Sequence, residues 1–244
     1  MTEDGKSRVA LVTGASKGLG RALSGELASR GVKVVMVARG RAELELAAAE
    51  VRERGGPAPV PLVYDVGDKA AIHPLAGLAA DLAGDVDILV HNASDLGPVP
   101  MPLLMDLDCE DLSRVFEVNV VGPFRLTKAV GGSMALRKRG TILFVSSDAA
   151  VNAYPGWGAY SSSKAAADHL AKVFAAELEI HGVRVLSVDP TDMDTEMHRR
   201  ALPDSDPASL ARPETIAKAF VKILEDPERA RTGSRVSAGD WVSS

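Results

Sequence analysis

The chain has 244 residues, of which 46% are hydrophobic and 25% are charged, and its formal net charge is −5 at pH 7. This length can bury a large core, and the acidic balance excludes the basic surface that nucleic acid or an anionic membrane needs. No apolar run approaches the ~20 residues of a membrane-spanning helix and 1–8 is polar, so we expect a cytoplasmic protein with a loose segment at 1–7. The single cysteine, Cys109, excludes an intrachain disulfide and a cysteine-based zinc site. We expect no metal, and Cys109 to be a half-buried bystander.

The N-terminal stretch predicts a strand, a glycine-rich loop and a helix in succession. Residues 8–13 are an apolar run that suits a buried parallel strand, and an amphipathic segment with a stop at Gly31 follows the loop. Glycines let the backbone approach a pyrophosphate, which the free N–H groups of a helix N-terminus bind. The spacing T-G-x-x-x-G-x-G differs from the usual G-x-G-x-x-G, and an ordinary glycine turn is the alternative. The candidate cofactor residues of this loop are Gly14, Ser16, Lys17, Gly18, Leu19 and Gly20.

The end of the second strand, 32–38, indicates which dinucleotide the chain prefers. Proteins that prefer NAD commonly end this strand with a carboxylate that holds the adenosine ribose, whereas Ala38 stands here and Arg39 follows. An arginine pairs bidentately with a phosphate, and Lys17 adds a second positive charge. The pattern therefore favours NADP(H) over NAD(H). The alternative is that Arg39 and Lys17 are plain surface charges.

Strands and helices continue to alternate to the end of the chain. The predicted elements are helix 42–54, a strand ending at 62–64, helix 68–83, strand 86–90, helix 111–138, strand 141–147, helix 158–180, strand 183–188, helix 213–225 and strand 235–238. This alternation predicts an α/β protein, a three-layer, Rossmann-type, doubly wound parallel sheet in a single domain spanning 1–244. The polar, proline-containing stretch at about 191–212 predicts a mobile substrate lid.

The central stretch of the sequence runs from Ser147 to Lys164. Tyr160 and Lys164 are four positions apart at the start of a predicted helix, so they share a face. A lysine charge beside a tyrosine lowers the pKa of the phenol and makes it useful for proton transfer. Ser147 follows a buried strand, where its hydroxyl can donate to a carbonyl oxygen. The alternatives are a chance Tyr-x-x-x-Lys and an ordinary turn serine.

Several polar residues of the middle of the chain admit two readings. Asp65 and Val66 follow the third strand, where an adenine would lie, but Asp65 is also a suitable cap for the next helix. Asn119 sits on an apolar face of helix 111–138, where an amide must be hydrogen-bonded. A structural amide and a functional one are equally acceptable there.

Taken together, these residues resemble the short-chain dehydrogenase/reductase family in its compact form. The resemblance covers about residues 8–240. The motifs stand in the family's order: Thr13-Gly14-x-x-x-Gly18-x-Gly20, Asn92-Ala93, Asn119, Ser147 and Tyr160-x-x-x-Lys164. It implies an NADP-dependent oxidoreductase that reduces a carbonyl to an alcohol, or the reverse, by hydride transfer.

The resemblance also implies a role for each matched residue. Tyr160 would be the general acid or base, Ser147 would polarise the carbonyl, and Lys164 would lower the pKa of Tyr160 and bond the nicotinamide ribose. Asn119 would hold a water that connects Lys164 to solvent. The further cofactor contacts that the resemblance implies are Asp65 and Val66 at the adenine, Asn92 and Ala93 in the groove, and Val188, Pro190, Thr191 and Thr195 near the nicotinamide.

The chain departs from the family pattern on the nicotinamide side. Asn-Asn-Ala-Gly is here His91-Asn92-Ala93-Ser94, and Pro-Gly after the sixth strand is Pro190-Thr191. These changes narrow the pocket or alter the loop. His91 is either an extra acid–base group or, as we favour, the replacement of a structural amide.

Three questions stay open from the sequence. The competing functions are a non-catalytic dinucleotide-binding regulator and a ketoreductase on carrier-bound acyl chains, for which Arg199, Arg200 and Arg212 are the only basic candidates near the lid. The apolar and aromatic candidates for the substrate pocket are Tyr154, Trp157, Leu96, Met193 and Met197; Ser147, Tyr154 and Tyr160 are the predicted substrate contacts. The resemblance implies a homodimer or homotetramer, although the same apolar helix faces also suit packing on the sheet.

Overall fold

A computed structural model describes residues 7–242 of the chain. Its seven strands form one parallel sheet in the order β3-β2-β1-β4-β5-β6-β7. The strands are β1 Val9–Thr13, β2 Lys33–Ala38, β3 Val60–Val63, β4 Ile88–His91, β5 Gly140–Val145, β6 Val183–Asp189 and β7 Arg235–Ser237. The order reverses between β1 and β4, and ligands bind in the crevice that such a reversal opens at the carboxyl ends of the strands.

Eight α-helices connect the strands. They are α1 Gly18–Ser29, α2 Arg41–Glu53, α3 Ile72–Ala83, α4 Cys109–Phe116, α5 Gly122–Leu136, α6 Gly158–Leu178, α7 Glu196–Ala201 and α8 Pro213–Glu225. Within the described range, no helix is long and apolar enough to cross a membrane.

Helices cover both faces of the sheet because the strand residues are apolar on both sides. Along β1, Ala10 and Val12 pack with residues of α1, α2 and α8, whereas Val9 and Leu11 pack with residues of α3, α5 and α6. This two-residue period is the geometry of a strand buried on both faces. The structure therefore confirms the predicted three-layer, doubly wound parallel sheet.

The helix predicted over 111–138 is present as an uninterrupted helical segment over 109–136, but it is not α-helical throughout. Residues Glu117–Val121 form a π-helical turn between α4 and α5. Pro123 has no N–H to donate to the carbonyl four residues earlier, so the α-helical ladder cannot continue through it. At Gly122 an added Cβ would lie 2.3 Å from the carbonyl oxygen of Val66, so the chain also needs a glycine there. The Gly-Pro pair was the sequence signal for this break.

Other differences are local. The segment 191–212 holds helix α7, a 3₁₀ turn at Pro207–Ser209 and a bridge between Met193 and Ala211. Cys109, expected half buried, is exposed because it is the first residue of α4. The loose segment expected at 1–7 lies outside the described residues except for Ser7.

Candidate active site and dinucleotide cleft

The start of α6 carries the tyrosine and lysine that the sequence singled out. The helix begins at Gly158, so Tyr160 and Lys164 occupy successive turns of one face. Their exposures are only 7% and 5%. Ser147 follows β5 at the same edge of the sheet. The fold thus brings these three residues together.

Burial decides the protonation of Tyr160. It raises the pKa of the phenol to about 12, although hydrogen bonding with Ser147 and with Ser94 acts to lower it. A phenol with this pKa is neutral at pH 7. Ser94 is a contact that the sequence flagged only as a departure from a family pattern.

Lys164 is fixed between the end of β5 and the ring of Tyr160. Its Nζ donates to the carbonyl of Val145 at 2.7 Å and lies 5.5 Å from the centroid of the Tyr160 ring. Burial lowers the pKa of Lys164 itself to about 8, against the charges of Asp168 and Asp189, which raise it. Burial is the largest influence on the pKa of Tyr160, so the expected lowering of that pKa by Lys164 stays a prediction.

Ser147 is held by its chain neighbours. Its Oγ accepts the N–H of Ala149 at 3.2 Å and donates to Oδ1 of Asp148 at 3.2 Å. Oδ2 of Asp148 accepts the hydroxyl of Tyr154 at 2.7 Å. Tyr154, a predicted substrate contact, is 43% exposed, so it lies at the rim and reaches the site through Asp148.

Asn119 uses its amide to tie the loop after β4 to α6. Its Oδ1 accepts the N–H of Asp95 at 2.7 Å and the hydroxyl of Ser94 at 3.2 Å. Its Nδ2 donates to the carbonyl of Asp95 at 2.8 Å and to Oγ of Ser163 at 2.9 Å. These four bonds favour the structural reading of this buried amide, which the π-helical turn presents to both segments.

The glycine loop is built for close approach of a ligand. Gly14 and Gly18 have φ of 65° and 49°, values that residues with a Cβ adopt only with backbone strain. A Cβ added at Gly20 would lie 2.3 Å from the carbonyl oxygen of Gly14. Helix α1 has no acidic residue in its first turn and no side-chain cap at Lys17. Its N-terminus therefore fits the diphosphate of a dinucleotide.

Two adjoining clefts of about 310 and 300 Å³ extend from this loop along the strand ends. Volumes of this size suit parts of a small-molecule ligand. The predicted cofactor residues that line them are Gly14, Ser16, Lys17, Gly18, Leu19, Arg39, Asp65, Val66, Asn92, Ala93, Tyr160, Lys164, Pro190 and Thr195. Three predicted residues do not line them. Gly20 packs against the carbonyl of Gly14, Val188 is fully buried in β6, and Thr191 lines the neighbouring cleft at Ser147.

The cations predicted to select NADP are paired with carboxylates. Arg39 lies 3.7 Å from Oδ2 of Asp65, and Lys17 donates to Glu196 at 3.0 Å. Glu43 also lines the second cleft. Sequence reasoning missed Glu43 and Glu196; Glu43 was visible as an acidic residue in the first turn of α2, a common position for one.

A third cleft of about 100 Å³ opens beside Tyr160 and Ser147. The predicted apolar residues Leu96, Trp157, Met193 and Met197 line it, and so do the polar residues Asp148, Asp192 and His198, which the sequence did not single out. Only their places in the segments that follow β5 and β6 pointed to them.

The departures from the family pattern have structural explanations. His91 is buried, its Nε2 lies 2.8 Å from Oγ1 of Thr127, and burial lowers its pKa to about 3. The imidazole is therefore neutral and structural, which supports the favoured reading. Thr191 has a φ of 64°, a left-handed conformation that costs a β-branched residue energy and that a glycine adopts freely.

The fold and the cleft define an α/β protein of the dinucleotide-binding class, with a tyrosine–lysine pair at the mouth of the groove. The model of the short chain dehydrogenase family matches residues 8–206, and the chain belongs to this family of oxidoreductases. It is 35% identical over 240 residues to galactitol 2-dehydrogenase of Rhizobium johnstonii, covering 93% of this chain and 92% of that protein. It is 34% identical over 205 residues to 3-oxoacyl-[acyl-carrier-protein] reductase FabG of Escherichia coli, covering 84% and 81%.

Solved structures share the whole fold. A short chain dehydrogenase of Shigella flexneri complexed with NADP has a TM-score of 0.88 at 28% identity, over 95% of this chain and 97% of that one. An NAD⁺-bound xylitol dehydrogenase has a TM-score of 0.86 at 28% identity, over 94% and 96%. Both nicotinamide dinucleotides thus occur among structures of this shape.

Proposed function

We propose that this protein is an NADP(H)-dependent oxidoreductase that interconverts a carbonyl and an alcohol on a small molecule. The observation that carries the proposal is the position of Tyr160, which lines both the cleft at the glycine loop and the smaller cleft beside Ser147. A proton donor at that junction can reach a substrate that lies in the smaller cleft against a cofactor that lies in the larger one.

The chain's residues act on the proton and on the substrate oxygen. When bound, the nicotinamide supplies or accepts the hydride. Tyr160, neutral at pH 7, gives its proton to the substrate oxygen in reduction and takes it back in oxidation. Ser147 turns its hydroxyl from Asp148 to the same oxygen. Lys164 supplies the positive charge that stabilises the phenolate left behind.

NADP(H) is the preferred dinucleotide in this proposal. Lys17 and Arg39 line the cleft where the adenosine end of a dinucleotide would lie, and the structural neighbour from Shigella flexneri is complexed with NADP. Arg39 exchanges Asp65 for the 2′-phosphate, which it binds through two N–H groups. NAD(H) is the less favoured cofactor.

The test is NADPH consumption with a panel of ketones, aldehydes and sugars, comparing wild type with Tyr160→Phe. We expect turnover with some carbonyl and a loss of at least about a hundredfold in the variant, the size of a general acid's contribution. Tyr154→Phe removes a phenol oxygen at the rim that contacts Asp148, and it should cost much less activity than Tyr160→Phe. Equal inertness of all three proteins with intact NADPH binding would favour the dinucleotide-binding regulator.

A ketoreductase on carrier-bound acyl chains is the second candidate, because FabG of Escherichia coli is among the relatives. Arg199 is paired with Asp194, and Arg200 lines the dinucleotide cleft. If a carrier docks on these arginines and Arg212, replacing Arg199 and Arg212, which line none of the three clefts, by alanine lowers activity on the carrier-bound substrate and leaves activity on a free one intact.

We also propose a homodimer or homotetramer assembled through α5 and α6. Phe124 and Val173 on these helices are 38% and 42% exposed, which supports an apolar contact there. Light scattering should give twice or four times the 25.6 kDa of one chain, and a monomer would overturn the proposal.

A further inference from the structure

A chain of buried charges lies beneath the candidate active site. Asp168 on α6 and Asp189 at the end of β6 are 7% and 9% exposed. Arg235, the first residue of β7, bridges them: its Nε donates to Oδ2 of Asp168 at 3.0 Å and its Nη2 to Oδ2 of Asp189 at 2.9 Å. Ser146 also donates to Oδ2 of Asp168, at 2.7 Å.

Arg235 also holds the residue that carries the reactive hydroxyl. Its Nη2 donates to the backbone carbonyl of Ser147 at 2.8 Å, and its Nε lies 3.3 Å from Oγ of Ser146. One guanidinium therefore joins the ends of β5 and β6 to α6. A lysine cannot reproduce this arrangement, because its single ammonium lacks the planar fork of donors.

The other carboxylate oxygen of Asp168, Oδ1, can act on its surroundings through its charge. Oδ1 is buried and has no hydrogen-bond partner among the described residues. Lys164 lies four residues earlier on the same helix, so the two side chains share a face. The charge of Asp168, one helical turn away, favours the charged form of the Lys164 ammonium, against the burial that disfavours it.

Few charges face Lys164. Asp168 on its own helix and Asp189 from β6 both act to keep the ammonium charged, and Arg235 from β7 lies between these two carboxylates. Tyr160 faces it from the preceding turn of α6. From β5 it meets a backbone carbonyl, that of Val145.

We propose that Asp168 and Arg235 are positioning residues for the reaction. Arg235 fixes the backbone of Ser147, and Asp168 stabilises the ammonium of Lys164 from one turn further along α6. The proposal rests on the proposed oxidoreductase function for its kinetic consequence only. Its structural part is independent of turnover.

The first test measures the protonation of Lys164 directly. The protein is labelled at the lysine ε carbon, titrated by NMR, and the Lys164 signal is assigned by its loss in Lys164→Met. In Asp168→Asn we expect the midpoint to fall by about one unit, the lower end of the effect of a neighbouring opposite charge. A loosened structure would admit water and raise the midpoint, so the sign separates lost charge from lost packing.

The matched control is Asp87→Asn. Asp87 is also a buried aspartate paired with an arginine, Arg137 at 2.7 Å. It precedes β4, so it lies at the amino ends of the strands, whereas Lys164 lies at their carboxyl ends. The control should destabilise the protein and leave the Lys164 midpoint unchanged. An unchanged midpoint in Asp168→Asn, or an equal shift in both variants, overturns the proposal.

The second test uses the pH profile of NADPH-dependent reduction. If Lys164 must be charged, activity falls as the pH rises through its pKa. Asp168→Asn moves that alkaline limb down by about one unit, so activity at pH 9 drops roughly tenfold while activity at pH 6 changes little. A uniform loss at every pH overturns the electrostatic role. Absence of turnover in the wild type refutes the proposed function and leaves the NMR result to decide this proposal.

If Asp168→Asn alone does not fold, the same comparison is made in the background of Arg235→Gln. The double variant Asp168→Asn/Arg235→Gln removes one buried charge of each sign, and its Lys164 midpoint should lie below that of Arg235→Gln. Equal midpoints overturn the proposal. For Arg235 itself, kcat should fall more than KM rises in Arg235→Lys, because Ser147 loses its anchor while the clefts stay intact; an unchanged kcat contradicts that role.

Discussion

Replacing Arg39 by aspartate should reverse the dinucleotide preference. A charge-assisted hydrogen-bonded contact with a phosphate contributes about 1.5–3 kcal/mol. Arg39 is 70% exposed and Asp65 42%, so the pair that must open to free Arg39 is worth at most about 1 kcal/mol. The net preference for NADPH over NADH is then about 0.5–3 kcal/mol, or roughly 2- to 150-fold in Kd.

The assay is a fluorescence or calorimetric titration of NADPH and NADH against both proteins. Arg41→Asp is the matched control, because it makes the same charge change two residues away, where the guanidinium lies 3.4 Å from Glu45. Asp65→Asn should tighten NADPH severalfold, since it removes the carboxylate that competes for Arg39. Equal binding of the two dinucleotides by wild type, or an equal effect of the two arginine substitutions, would refute the reasoning.

Three further predictions concern the residues that depart from the family pattern. In Ser94→Gly a hydrogen bond worth ~1 kcal/mol is lost and the pKa of Tyr160 rises further, so the pH profile of alcohol oxidation shifts up by as much as about one unit; an unchanged profile contradicts this. Burial lowers the pKa of His91 to about 3, so the unfolded chain binds its proton first and stability falls as the pH drops below about 6.5, by about 2 kcal/mol at pH 5. Urea unfolding at pH 7.5 and pH 5 should show this loss in wild type and much less of it in His91→Asn. Thr191→Gly removes a β-branched residue from a left-handed conformation, which adds ~1–2 kcal/mol to the free energy of unfolding, while the greater chain entropy of glycine takes away ~0.5–1 kcal/mol. The Tm should therefore rise by up to about 4 °C. A clear fall in Tm would count against strain at this position.

The sequence predicted those features that local patterns encode. Apolar runs gave the strands, the glycine spacing gave the loop before α1, and the order of alternation gave the doubly wound sheet. The break at Glu117–Val121 was missed because Asn119 lies in a helical pattern on both sides, and only Gly122 and Pro123 marked the turn. Tertiary contact decides such a position: the amide of Asn119 reaches the loop after β4 and Ser163 on α6.

The ion pairs in the cleft and beneath the candidate active site could not be predicted from the sequence, for a different reason. Lys17 meets Glu196 across 179 positions, and Arg235 meets Asp168 across 67. No spacing rule connects residues so far apart, and exposed and buried charges look alike in a sequence. The predicted preference for NADP did not include the carboxylates that pair with Lys17 and Arg39, which a bound phosphate would have to displace.

The protonation of Tyr160 shows what the spacing of a motif leaves undetermined. A spacing of four positions puts the tyrosine and the lysine on a common helix face, but the pKa of the phenol depends on how deeply it is buried and on where the ammonium points. Burial raises that pKa to about 12, and Nζ of Lys164 is held at the carbonyl of Val145. In the proposed mechanism the neutral phenol gives its proton in reduction and the phenolate takes it back in oxidation. The proposed role of Lys164 is to stabilise that phenolate, and Asp168 acts to keep Lys164 charged.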